Sequence, residues 1–336
     1  MPGNEIVTIP PARDLAPAAA GAEVDRLAAA AAAYADAASA ASTRRAYDSS
    51  WRAFETWCAA HQAVALPAHP GTVLLFLTDH AGRLSVASLA RHLAAIRSKH
   101  RLADLPAPGG PELERVWSGI RREHGRAPRK KFALVTADLR RVVQRLPEDL
   151  GGQRDRALLL VGFAGALRRS ELAPLELDDG KSLCGPSRIR FVPGGLEIRL
   201  DRSKTDQEGA GHVVAIPHGK TKLCPVRALR AWLEAAAIAA GPVFRAVDRH
   251  GRVAAAAISD RAVADIVKRA CERAGLDPEV FSGHSLRAGL VTSAANAGLD
   301  VELIMRQTRH TKADTVLGYI RDADRFKRNA AGKVGL

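Results

Sequence analysis

Between Thr43 and Cys58 the chain places Tyr47, Trp51, Phe54, Trp57 and Cys58 at three- and four-residue steps, the spacing of one helical face. That stripe is read as core, with a base-stacking face as the alternative. An alanine-rich stretch, Glu23–Ala41, precedes it and favours helix. Further helices are predicted over Thr72–Asp79, Val86–His100 and Pro111–Glu123, a helical bundle with short loops. The pattern then changes. Helices near 136–146 and 153–167 lead into Ile189–Val192, Leu196–Leu200 and His212–Ile216, which have strand character. Helices near 224–238, 260–274, 285–297, 300–308 and 313–321 complete the reading, and there are no internal repeats. The order predicts a multidomain α and α+β protein, all-helical first and mixed afterwards.

Composition refines the boundaries. Residues 1–22 are rich in Pro, Ala and Gly and read as a flexible tail. A helical domain over 23–124 is followed by a linker, 125–132, in which Gly125, Pro128 and the cations Arg126, Arg129, Lys130 and Lys131 crowd together. Such a run either touches phosphates or serves as a solvated hinge. Residues 133–336 form the second domain. Lys and Arg exceed Asp and Glu by 14, and the isoelectric point is near 10.2, which points to a polyanionic partner. Cys58, Cys184, Cys224 and Cys271 are scattered without a C-x-x-C pair, against a zinc ribbon or a disulfide scaffold. No apolar run approaches the ~18 residues of a membrane helix, and no signal peptide is evident. A reducing cytoplasm, beside the nucleoid, is the expected compartment.

Chemistry concentrates in four pieces: Leu167-Arg168-Arg169-Ser170-Glu171-Leu172, then His284-Ser285-Leu286-Arg287, then His310, then Tyr319 nine positions later. Attack on a phosphodiester by an oxygen nucleophile piles charge onto the non-bridging oxygens, and fixed cations must meet it. Arginine suits this because its planar fork donates two parallel hydrogen bonds and stays charged. Arg168 follows the apolar run 157–167, and Arg287 lies three positions after His284, on one helical face. Ser282-Gly283 marks a helix start, where free amides favour an anion. Each fragment alone fits a cap, a surface ion pair or a core aromatic. Their order carries the reading.

That ordered set resembles the tyrosine recombinase (phage integrase) family, and within it the simple recombinases of the Cre type, from about Thr43 to Phe326. The resemblance implies a SAM-like core-binding bundle and an α+β catalytic domain closing as a C-shaped clamp on DNA. It makes Tyr319 the nucleophile, Arg168 and Arg287 the phosphate-binding arginines, and Glu171 the support of His284. His310 stands where relatives have His or Trp. Lys204, in Arg202-Ser203-Lys204-Thr205 between two strands, matches the family's hairpin lysine. Arg309 departs from the family, which usually has Gly there.

The implied reaction is site-specific strand exchange through a 3′-phosphotyrosine and a Holliday junction, with no cofactor, metal or ATP. His284 accepts the phenol proton, Lys204 protonates the leaving 5′ oxygen, and His310 donates a hydrogen bond to the phosphate. The implied partner is double-stranded DNA bearing specific sites, engaged by a homotetramer that is a monomer or weak dimer off DNA, with no membrane. The resemblance sends helix 86–100 into the major groove with Arg91 reading bases. Arg44, Arg97, Lys99, Arg129, Lys130 and Lys131 are further candidate DNA contacts, although a solvated face would carry the same residues. Two rivals stand beside this reading: a type IB topoisomerase, and a regulator that kept the fold without catalysis.

Overall fold

The structure, a computed structural model, describes residues 22–37, 40–126, 131–178, 187–200 and 211–323. Lys204, Arg129, Lys130, Cys184 and the terminal segments 1–21 and 324–336 lie outside the described residues. The chain divides into two compact units, Met1–Pro128 and Arg129–Leu336.

The first unit is helical: α1 (Ala22–Ala37), α2 (Ala41–Ala60), α3 (Pro70–His80), α4 (Val86–Leu102) and α5 (Pro111–His124). Local chemistry starts these helices. Pro70 occupies the first turn of α3, where its missing N–H is no loss, and the His69 ring accepts from Gly71 N at 3.1 Å. Ser85 caps α4 through Ser88 N at 3.1 Å. Helix α5 sets Glu112 and Glu114 in its first turn and Arg121, Arg122 and His124 in its last, complementing the helix dipole.

The aromatic stripe of α2 turns inward. Phe54 packs edge-on against Phe76 with ring centroids 5.1 Å apart, in a core shared with Leu89, Leu93, Ile96, Leu113 and Trp117. Trp57 keeps its Nε1 satisfied by Asp79 at 2.9 Å. His100, in the last turn of α4, is a core residue at 0% exposure. Its Nε2 accepts from Ala68 N at 2.8 Å, which leaves Nδ1–H to donate to Ile96 O at 2.8 Å. The hydrogen-bond pattern thus fixes the neutral tautomer.

The second unit runs α6 (Thr136–Gln144), α7 (Leu150–Ala164), α8 (Arg169–Leu172), β1 (Glu176–Leu177), β2 (Arg188–Val192), β3 (Gly195–Leu200), β4 (His212–Pro217), α9 (Pro225–Ala235), β5 (Gly241–Pro242), β6 (Arg245–Val247), β7 (Val253–Ala257), α10 (Asp260–Arg273), a 3-10 turn (Pro278–Val280), α11 (His284–Asn296), α12 (Val301–Thr308) and α13 (Ala313–Ala323). The main sheet has the order β4-β3-β2-β1-β5; β1 and β2 pair in parallel and every other neighbour is antiparallel. A separate hairpin joins β6 and β7. Helix α7 is buried on every side over Ala157–Val161, which explains why it lacks a polar face. Trp232 of α9 sits in the same core with Nε1 donating to Val243 O at 2.8 Å.

Helices α11 and α13 are held in different ways. Leu134 N donates to Ser285 O at 3.0 Å, and Thr136 N to Ser293 Oγ at 3.0 Å, strapping an extended segment along α11. Gly289 permits that approach, because a Cβ there would meet Leu134 O at 2.1 Å. Helix α13 packs on α11 and α12 through a small cluster separate from the main core, built from Val291, Ile304 and Val316, with Tyr319 and Ile320 against it.

Candidate active site

Three stretches of chain converge. The first is the end of α7. Gly165 and Ala166 break the helix, Ala166 adopting φ 45°, and Leu167 N returns to Gly162 O at 3.0 Å. The turn leaves Arg168 as the N-cap residue of α8, where its extended backbone carries the side chain clear of the core. Glu171, one turn on, accepts from Arg168 N at 2.9 Å, the reciprocal half of a capping box. Its other oxygen takes Arg168 Nη1 at 2.6 Å.

The second stretch is the start of α11. Ser285 Oγ accepts from Ser282 N at 2.9 Å, and Ser285 N donates to Ser282 O at 2.9 Å, so the helix begins at His284. His284 and Arg287 then share the first turn. His284 keeps an exposed edge, while Arg287 is only 1% exposed and donates from Nη1 to Ala166 O at 2.7 Å.

The third stretch links α12 to α13. Gln307 Nε2 donates to Ala164 O at 2.8 Å and Ala215 O at 3.2 Å, tying α12 to the end of α7 and to β4. Arg309 ends α12 in the left-handed region, φ 57° and ψ 42°, which accounts for the family's usual glycine at this place. Its guanidinium turns inward, donating from Nη2 to Glu171 at 3.0 Å and to Ala166 O at 3.1 Å. His310 Nδ1 lies 2.7 Å from Thr308 Oγ1, whose hydroxyl donates to Ile304 O at 2.6 Å. Tyr319 is half-buried on α13, and its hydroxyl lies 3.0 Å from His284 Nε2.

The structure therefore brings Arg168, Glu171, His284, Arg287, His310 and Tyr319 into one cluster, and one expectation changes. Glu171 does not orient His284. Both its oxygens are occupied by Arg168 and Arg309, because the left-handed turn at Arg309 carries a second guanidinium to the carboxylate. Sequence reasoning noticed Arg309 and missed its destination. It overlooked Ala166, Gln307 and Thr308; the polar Gln307-Thr308 pair at a helix end was the available signal.

Three arginines around one carboxylate set the electrostatics. Burial alone would raise Glu171, but the Arg309 charge and the hydrogen bonds from Arg168 overcome it and hold the carboxyl below its usual range. Burial, then the charges of Arg168 and Arg309, lower Arg287 to about 10, still a cation at neutral pH. Burial and the charges of Arg287 and Arg168 lower His284, which stays neutral and able to accept a proton. The same causes take His310 down to about 4. Among the described residues, Arg287 Nη2 and Arg309 Nε and Nη1 are buried without a hydrogen-bond partner.

The candidate DNA contacts of the first unit are less uniform. Arg91 and Arg44 are exposed, but Arg97 donates to Pro108 O at 3.2 Å and to Glu114 at 2.6 Å, joining α4 to α5. Lys99 lies 3.9 Å from Asp48. In the second unit Lys131 is bonded to Glu279 O, and Lys220 and Lys222 are exposed. No helix among the described residues is long and apolar enough to cross a membrane.

A two-unit chain with arginines, histidines and a tyrosine so arranged is matched by known proteins. Residues 134–325 fit the description of the phage integrase family, and the chain belongs to that family, the tyrosine recombinases. An integrase/recombinase xerD homolog of Selenomonas ruminantium is 38% identical over 298 residues, covering 87% of this chain and 85% of the relative. Recombinase cre of Escherichia phage P1 is 28% identical over 296 residues, covering 81% of this chain and 82% of its own. The Tn1549 transposon integrase, solved with transposon right end DNA, superposes with a TM-score of 0.56 at 15% identity over 88% of this chain and 95% of that one. The XerH site-specific recombinase, bound to a palindromic difH substrate, gives 0.55 at 17% identity over 79% and 72%. At such identities the superpositions speak for the fold.

Proposed function

We propose that this chain is a site-specific recombinase or integrase that cuts and rejoins DNA strands through Tyr319. The pairing of the Tyr319 hydroxyl with His284 Nε2 at 3.0 Å carries the reading. A free tyrosine titrates near pH 10, so about one in a thousand is phenolate at neutral pH, a deficit of roughly 4 kcal/mol. A neutral imidazole within hydrogen-bond reach supplies a proton acceptor at the moment of attack. Arg168 and Arg287 meet the charge that grows on the non-bridging oxygens, and stabilising such charge is where most of the rate enhancement of phosphoryl transfer arises. Arg287 is pre-aimed by Ala166 O and Arg168 by Glu171. Lys204, by its resemblance to the family's hairpin lysine, protonates the departing 5′ oxygen.

His310 needs one further step. The Thr308 hydroxyl has a single proton, and while Ile304 O holds it, His310 Nδ1 must be the donor between the pair. Neutral His310 then presents a bare Nε2. It can donate to a phosphate oxygen once it gains a proton, or once the Thr308 hydroxyl turns toward it.

The product is a 3′-phosphotyrosine and a free 5′ hydroxyl. The ester keeps the bond's free energy, so the 5′ hydroxyl of a second strand can reverse the step without ATP or metal, passing through a Holliday junction. The first unit serves as the core DNA-binding domain and the second as the catalytic domain, with four protomers working on two sites. The test is a nicked suicide duplex carrying the site that the protein selects from random-sequence DNA. Tyr319→Phe should abolish the covalent adduct and leave DNA affinity unchanged; an adduct that survives the substitution rules out this nucleophile.

A further inference from the structure

We propose that Arg309 is a positioning residue for strand cleavage, joining Arg168 and Arg287 into one rigid phosphate-binding unit; this rests on the reading of the site given above. The link has two arms. Through Glu171, Arg309 Nη2 reaches the carboxylate that holds Arg168 by its Nη1 and its backbone N–H. Through Ala166 O, the same Nη2 shares an acceptor with Arg287 Nη1. Among the described residues, Arg309 is the side chain whose hydrogen bonds reach both the carboxylate on Arg168 and the carbonyl on Arg287.

Stability alone does not account for this residue. Arg309 holds a left-handed backbone that glycine would adopt without strain. Its partner Ala166 is left-handed too, at φ 45°, so two strained non-glycine residues meet across one hydrogen bond. Arg309 is only 9% exposed and leaves Nε and Nη1 unpartnered among the described residues, a burden for any cation in the interior. It also adds like charge beside Arg168 and Arg287, helping to lower Arg287. A glycine would relieve strain, desolvation and repulsion together, at the cost of one of the two arginines paired with Glu171, which would keep Arg168. What it would not supply is a nitrogen that donates to the Glu171 carboxylate and the Ala166 carbonyl at once.

The test uses the full chain and the nicked suicide duplex, reading the single-turnover rate of adduct formation at saturating DNA, the Kd for the same duplex, and the Tm. Arg309→Gly should lower the cleavage rate by about ten- to a hundredfold, the scale of a small misplacement of reacting groups, with Kd within about threefold. Arg309→Lys, which keeps a charged nitrogen donor but not the guanidinium's plane and reach, should recover only part of the rate. Arg309→Gly combined with Glu171→Gln should be no slower than the slower single variant, because both break one unit. Arg309→Gly within about twofold of the parent rate, a loss that only tracks the folded fraction, or multiplicative effects in the double variant would overturn the assignment. Parent protein that forms no adduct, or a Tyr319→Phe variant that still does, would instead remove the reading beneath it.

Discussion

Replacing Glu171 by glutamine isolates the charge at the centre of the arginine cluster, because the side chain keeps its length and one acceptor oxygen. Glu171 is 4% exposed and receives three hydrogen bonds, from Arg168 N at 2.9 Å, Arg168 Nη1 at 2.6 Å and Arg309 Nη2 at 3.0 Å. The amide can keep one acceptor facing a guanidinium, but its own N–H donors must then face another cation. Breaking a buried ion pair by removing one partner typically destabilises by about 3–5 kcal/mol, and the retained oxygen places this case near the lower end. For a unit of this size each kcal/mol lowers Tm by about 2–4 °C, giving a fall of about 6–12 °C. Scanning calorimetry of parent and variant is the assay. The acid side adds a sign. A carboxyl held below its ordinary range stabilises the fold above about pH 4.3 and loses that contribution as pH falls through its lower folded value. The gap between the two proteins should therefore narrow in acid. A fall below about 2 °C at neutral pH, or a gap that widens in acid, would refute the claim that Glu171 works as a buried carboxylate.

Two further outcomes rest on charge and exposure. His284 is lowered and neutral through the physiological range, so the cleavage rate should stay level as pH drops to about 6.5 and fall away only further into acid; a rate that halves near the ordinary histidine value, followed across a pH series of adduct formation, contradicts a lowered His284. Arg91 is exposed, while Arg97 is tied to Pro108 and Glu114. Arg91→Ala should thus reduce the slope of log affinity against log salt by about one, whereas Arg97→Ala should leave that slope and lower the Tm of the first unit; the reverse pattern in fluorescence anisotropy titrations would exchange their roles.

The sequence made the long amphipathic elements plain, and the reasons are local. The three- and four-residue spacing along α2 and the charge order of α5 are written in consecutive residues. Strands were legible where β-branched residues alternate, as in Arg188–Val192 and His212–Pro217. They were hidden at Val253–Ala257, where four alanines favour helix and only pairing with Arg245–Val247 imposes extension. Glu23–Ala41 read as one helix because alanine carries no punctuation, yet Ala40 leaves the helical conformation and a new helix opens at Ala41. In the site, the i to i+3 relation of His284 and Arg287 was readable from spacing. The partnership of Glu171 with Arg309 was not, since 138 residues separate them and no periodicity encodes a turn's left-handed twist.

The small apolar footing of α13 sets how firmly Tyr319 is held. Among the described residues, Val316 is the one fully buried apolar side chain that this helix contributes, seated against Val291 and Ile304 and apart from the large core that anchors α7 and the sheet. Drawing the helix away would expose that valine and break the Tyr319 to His284 contact, at about 1.5–3 kcal/mol for the side chain, while leaving the arginine cluster assembled. Tyr319 is therefore on a latch: a single helix can be lifted or set down without remaking the cluster of Arg168, Glu171, Arg287 and Arg309.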